Sequence, residues 1–162
     1  MSINIGVPQD IQNKTAPHEN HSVRQFIAFT AYGDPVPKAR ARTYSRNGKV
    51  RTVTPQQTVD YELSVKLAAN QAMLYRRPFE GMIRVVIYIY VKIPARMKKQ
   101  DRARALLGEL HPITRPDIDN YIKTILDAMN ETVINDDNQV TELVSYKRYS
   151  DRPRVDVEVY AI

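Results

Sequence analysis

The chain contains no cysteine, so disulfides and thiolate metal sites are excluded and a reducing compartment is open to it. No cluster of histidines takes the place of cysteine, which argues against zinc. Long hydrophobic runs are missing too. The N-terminus lacks an apolar core of signal-peptide length, and no later stretch is long enough to span a bilayer. These absences lead us to expect a soluble, cytoplasmic protein with no membrane partner. No internal repeat or low-complexity tract marks a solenoid or a disordered tail.

What is present fits one well-packed domain with a short appendage: 162 residues, 43% of them hydrophobic. A formal charge of +6 and a pI near 9.5 favour a polyanionic partner, although the same charge could simply keep the protein soluble. Residues 1–22 are polar and aperiodic and are expected to form a flexible leader to a domain over 23–162. Arg24 to Tyr32 alternates as a strand, with Phe26, Ala28 and Thr30 on one side and Ile27 and Phe29 on the other. From Val36 to Val53 the chain is basic and extended, and Arg46-Asn47-Gly48-Lys49 is placed to turn a hairpin.

Thr54-Pro55-Gln56-Gln57 predicts a capped helix start, and the helix should run to about Leu74 with Val59, Leu63, Leu67 and Leu74 as its core edge. Met82 to Ile93 reads as a buried strand, and Pro94 to Gly108 as a short basic helix. Ile118, Tyr121, Ile122, Ile125, Leu126 and Met129 recur at spacings of three and four, the stripe of an amphipathic helix. Gln139 to Tyr149 and Arg154 to Ile162 alternate as two strands around the turn Ser150-Asp151-Arg152-Pro153. The expected fold is α+β: a small mixed sheet from 24–53, 82–93 and 139–162, against which helices 55–74 and 118–130 pack.

Acids gather around the amphipathic helix. Asp117 and Asp119 open it, one residue apart, and Asp136 and Asp137 follow just beyond its end, in a chain that is otherwise basic. Asp119 and Lys123 lie one turn apart, so their side chains can meet, and the turn after the helix is long enough to bring the second acidic pair back beside the helix start. Converging carboxylates suit Mg²⁺ or Mn²⁺, hard ions that take a few carboxylates and keep waters for phosphate. Simpler explanations exist. Acids at a helix N-terminus also cap it, Asp-Asp-Asn is ordinary turn chemistry, and Lys123 could make only an exposed ion pair. Asp127, a turn beyond Lys123, reads as a solvated helix residue.

The string Arg115-Pro116-Asp117-Ile118-Asp119-Asn120, then Lys123, Leu126-Asp127-Ala128 and Asp136-Asp137-Asn138-Gln139-Val140, closely resembles the signature of the RusA-type Holliday-junction resolvases, small and often prophage-associated endonucleases. A weaker likeness covers Gly33 to Arg42 and Ile93-Pro94 with the basic helix after it. The resemblance implies a homodimeric α+β nuclease that binds four-way DNA junctions and nicks opposing strands with Mg²⁺ or Mn²⁺, in recombination and repair. By position it makes Asp117, Asp119 and Asp137 metal-binding carboxylates, Asp136 a supporting acid and Lys123 the catalytic lysine. The segment from Met97 to Thr114 is longer than in the most compact members.

Lys38, Arg40, Arg42, Arg46, Lys49 and Arg51 occur with no acid among them and with Tyr44 inside the run, a pattern suited to phosphate contacts and to stacking on an unpaired base. A second basic stretch from Arg96 to Arg104 adds Lys98 and Lys99. Two other functions fit parts of this pattern. A structural DNA-binding module needs only the basic surface, and a metal-dependent nucleotide phosphohydrolase needs only the acids. The coincidence of both features favours the nuclease.

Overall fold

The structure, a computed structural model, describes residues 25–40, 42–46 and 49–162. The expected leader at 1–22, the turn residues Asn47 and Gly48, and the side chains of Arg42, Tyr44, Arg46, Lys49 and Arg51 lie outside that description. In chain order the elements are β1 (Phe26–Tyr32), β2 (Arg42–Arg46), β3 (Lys49–Val53), α1 (Gln56–Met73), β4 (Ile83–Lys92), α2 (Lys99–Leu106), α3 (Ile118–Met129), a 3₁₀ turn (Asp137–Gln139), β5 (Val140–Ser150) and β6 (Arg154–Ala161).

The alternation in β4 fixes the centre of the molecule. Ile83, Val85, Ile87 and Ile89 point to one face and are fully buried, while Tyr88 and Tyr90 point to the other. So apolar a strand is most stable with a neighbour on each edge, and the sheet order is β1-β6-β4-β5. β4 runs parallel to β5, with Val85 opposite Leu143, and antiparallel to β6, with Ile87 opposite Val157. β5 and β6 therefore flank the turn at 150–153 as expected but are not paired with each other, because β4 lies between them. On β1, Ile27, Phe29 and Ala31 face the core and Phe26 and Tyr32 do not.

Strands β2 and β3 do not join this sheet. β2 and β3 form their own antiparallel pair, with Thr43 opposite Thr52. Their basic composition offers no apolar face with which to bury a strand against the core.

Helices α1 and α3 cover one face of the four-stranded sheet. The other face carries a stacked Tyr88–Tyr146 pair with ring centroids 5.1 Å apart, and Arg154 lies 3.9 Å over the Tyr90 ring. In α1 the leucine edge read from the sequence faces solvent: Val59, Leu63, Leu67 and Leu74 are all exposed. The buried edge is Thr58, Tyr61, Val65, Ala69 and Met73, with Ala68 and Ala72 packed beside it. Both rows satisfy helical spacing; in the buried one Ala69, with Ala68 and Ala72 beside it, lets the helix approach its neighbours closely, and Tyr61, Val65 and Met73 fill the space around that contact. Pro55 occupies the cap position itself, and no side chain caps this helix. In α3 the stripe is as expected at Tyr121, Ile125 and Met129, with Ile122 and Leu126 at its margin, while Ile118 is exposed. Helix α2 begins at Lys99 rather than Pro94 and buries only Ala105.

Ile125→Ala, which empties volume between α3 and the core, should lower the unfolding free energy by about 2–5 kcal/mol. Leu63→Ala, on the exposed edge of α1, should change it by no more than about 0.5 kcal/mol. Urea unfolding followed by circular dichroism checks both, and a larger loss at Leu63 would return the core to the leucine edge.

Candidate active site

Asp117 is the cap residue of α3, with φ −72° and ψ 152°, yet its carboxylate accepts no cap hydrogen bond. Capping therefore does not account for this side chain. Asp119 follows in the first turn, exposed, and its Oδ1 accepts a 3.3 Å hydrogen bond from the side-chain amide of the neighbouring Asn120. The positive end of the helix dipole offsets part of the repulsion between these two anions.

The loop leading to Asp117 is held from the sheet. Lys147, on the core-side face of β5, donates from Nζ to the carbonyls of Thr114 and Pro116, both at 2.9 Å. One ammonium thus bridges the two sides of residue 115 and fixes the backbone immediately before the first aspartate.

Beyond α3, Phe79, Val133 and Ile134 are fully buried, and Phe79 donates its amide to the Val133 carbonyl at 2.7 Å, which turns the chain back toward the helix. Asp136 caps the 3₁₀ turn by accepting from the Asn138 amide at 2.9 Å. Gln139 accepts from the amides of Asn135 and Asp136 and donates to the carbonyls of Phe79 and Gly81, so it fastens the acidic turn to the segment entering β4. Asp136 is thereby partly occupied in shaping the turn, and Asp137 is left to face α3.

At that face the charges alternate. Lys123 Nζ donates to Asp137 Oδ2 at 2.9 Å and to Asp127 Oδ1 at 2.8 Å, whereas Asp119, the partner expected from spacing, does not pair with it. Asp127 is correspondingly not the solvated residue expected: its Oδ2 lies 2.7 Å from Lys38 Nζ, which also reaches Glu62 at 2.6 Å. Burial pushes the Asp127 carboxyl up, but hydrogen bonds from Lys123 and Lys38 outweigh it and hold the group below the usual carboxylate range. Hydrogen bonds to Asp127 and Asp137 raise the Lys123 ammonium well above an ordinary lysine.

The structure thus brings Lys123 and Asp137 together and sets Asp117 and Asp119 side by side at the helix start. Among the described residues no three acids form a ready cluster of metal-binding size. The donor chemistry nevertheless fits a hard divalent cation, because the uncapping Asp117, the exposed Asp119 and Asp137 offer carboxylate oxygens only. Of the basic residues, Arg40, Lys98 and Lys99 are exposed, whereas Lys38 is committed to two carboxylates. The roles of Lys38, Lys147 and Gln139 were not legible in sequence, since each depends on a partner brought close only by folding.

With this geometry in place the comparison with known proteins is direct. The model of the family described as "Endodeoxyribonuclease RusA" matches residues 32–160. The chain belongs to this family. It is also 37% identical over 138 residues to a Bacillus subtilis (strain 168) protein described as "Uncharacterized protein YqaN", a match covering 82% of this chain and 94% of that one. The RusA-family match spans α3, the acidic turn and the Lys38 segment alike. No helix among the described residues is long and apolar enough to cross a membrane.

Two consequences can be measured. Since Asp127 titrates below the unfolded carboxyl, its stabilising effect is complete above the unfolded value and is lost as pH falls through the folded one. The stability difference between wild type and Asp127→Asn should therefore shrink as pH drops below roughly 4, as read by urea unfolding across a pH series. Lys147→Met should cut the nuclease rate by about 10- to 100-fold, the usual cost of losing a group that orients a site residue. A wild-type rate in this variant would show that Asp117 needs no support from β5.

Proposed function

We propose that this RusA-family chain is a divalent-metal-dependent endonuclease that resolves four-way DNA junctions by paired nicks in opposing strands, acting in the cytoplasm as a homodimer. The observation that carries the reading is the contact of Asp137, on the 3₁₀ turn, with Lys123 on the same helix that presents Asp117, a cap-position carboxylate not used for capping. Asp117, Asp119 and Asp137 would hold the cation, and Asp136 would support them from the turn. The chemistry that Mg²⁺ or Mn²⁺ would supply there is Lewis-acid polarisation of the phosphodiester and activation of water for in-line attack.

The protein's own groups do the rest. Lys123, kept protonated by its two carboxylate partners, would stabilise negative charge developing on a phosphoryl or leaving oxygen. The basic segment from Arg40 to Arg51, with Tyr44 within it, would engage the DNA backbone and an unpaired base, with Lys98 and Lys99 of α2 as a second contact region. A four-way junction has approximate two-fold symmetry, and two identical sites are the simplest way to cut opposite strands. The catalytic domain would span residues 23–162.

Separating chemistry from binding tests the proposal. Asp117→Asn and Asp137→Asn should abolish junction cleavage in Mg²⁺ or Mn²⁺ while leaving junction binding in Ca²⁺ intact. Neutralising Arg40 and Arg42 together should weaken binding and flatten its salt dependence by about one unit of slope per lost phosphate contact. Cleavage at the wild-type rate by either aspartate variant would refute the site assignment. Equal cutting of junction, fork, flap and linear duplex would reduce the protein to a general nuclease.

A further inference from the structure

Lys38 belongs by sequence to the basic run, but its ammonium is turned inward. It lies 2.6 Å from Glu62 on α1 and 2.7 Å from Asp127 on α3, and its side chain is 30% exposed. Its backbone amide also donates to the Asn120 carbonyl at 2.8 Å, which ties the segment after β1 to the first turn of α3. Asp127 uses its other oxygen to hold Lys123, so the order Glu62, Lys38, Asp127, Lys123, Asp137 alternates in sign at every step. Burial lowers the Lys38 pKa, and the hydrogen bonds it donates to Asp127 and Glu62 outweigh that effect, so the cation in the middle of the chain is stable.

The geometry points to Lys38 and Asp127 as positioning residues that fix the Lys123 ammonium for phosphodiester cleavage, with Lys38 acting through Asp127 and making no phosphate contact of its own. The inference rests on the proposed role of Lys123. Lys123 alone on an exposed helix face has many rotamers, and one carboxylate would restrict it only weakly. Asp127 is different because Lys38 anchors it from behind: a carboxylate bound through both oxygens cannot follow the lysine as it swings. Without Lys38, Asp127 would be free to rotate and Lys123 would lose a fixed partner, while the surface presented to DNA would hardly change.

The test uses the full-length protein and a four-way junction, with Lys123→Ala, Asp127→Asn, Lys38→Met and Lys38→Arg prepared in parallel. Single-turnover cleavage is measured at saturating protein with Mg²⁺, and junction affinity is measured in Ca²⁺ over a series of salt concentrations. Asp127→Asn and Lys38→Met should each slow cleavage by roughly 10- to 100-fold, as expected when a reacting group is misplaced by about an ångström. Affinity and the slope of its salt dependence should match wild type, which also shows that the variants are folded. Lys38→Arg, which keeps a cation between the two carboxylates, should recover most of the lost rate.

A slope reduced by about one unit in Lys38→Met would mean that Lys38 contacts phosphate, and the inference would fall. A wild-type rate for Lys38→Met and Asp127→Asn beside an inactive Lys123→Ala would also overturn it while leaving the active-site reading intact. Wild-type cleavage by Lys123→Ala would instead remove the role of Lys123 itself.

Discussion

Everything the site does depends on how α3 is docked. Tyr121, Ile125, Ala128 and Met129 bury one side of the helix against the core, each large apolar side chain contributing about 1.5–3 kcal/mol. That single orientation sends Asp117 and Asp119 to the exposed start of the helix and Lys123 and Asp127 to one flank. A rotation of α3 by one residue would bury a charge or expose Ile125, so the packing that stabilises the domain also sets the direction of the side chains proposed to act.

The acidic turn has to be brought to that flank, and it is placed by polar contacts anchored in apolar ones. Phe79, Val133 and Ile134 sink into the core and fix where the chain re-enters. Gln139 then links the turn to the carbonyls of Phe79 and Gly81, and its oxygen satisfies two turn amides. An amide serves here because it both donates and accepts, which a carboxylate or an ammonium cannot do. On the opposite side Lys147 holds the approach to Asp117 through two carbonyls. The two acidic pairs are thus referred to the same sheet, one through β5 and one through the entry to β4.

Elements whose pattern admits one solution were legible in the sequence. The alternation of β1 and β4 and the stripe of α3 each allow a single buried face, and the structure uses it. Helix α1 offered two rows at helical spacing, and the leucine row was not the buried one: the buried row combines alanines, which let the helix approach its neighbours, with Tyr61, Val65 and Met73. Strand order was hidden for a different reason: alternation in β5 and β6 says that each has two faces, not that β4 lies between them. For the candidate site, type and spacing singled out the acids and Lys123 as candidates, and the structure shows Lys123 in contact with Asp137. The pairing of Lys123 with Asp127 rather than Asp119, and the inward turn of Lys38, arise from contacts between segments distant in sequence.

That pairing bears on how, in the proposed site, one lysine could serve beside carboxylates that hold a cation. Asp137 and Asp127 both accept from Lys123, but they are not equivalent. Asp127 is the less exposed, at 21% against 32%, and is held by a second ammonium, whereas Asp137 sits at the start of a short turn. If Asp137 turns to another cation, Lys123 keeps Asp127, and its position and charge survive. On the proposed mechanism, a lysine held by Asp137 alone would lose its anchor once that carboxylate turned to the cation. The doubly bound Asp127 would remove that conflict, so the part proposed for this i,i+4 pair is to hold Lys123 in place, beyond the roughly 0.3–0.5 kcal/mol that such an exposed pair contributes to stability.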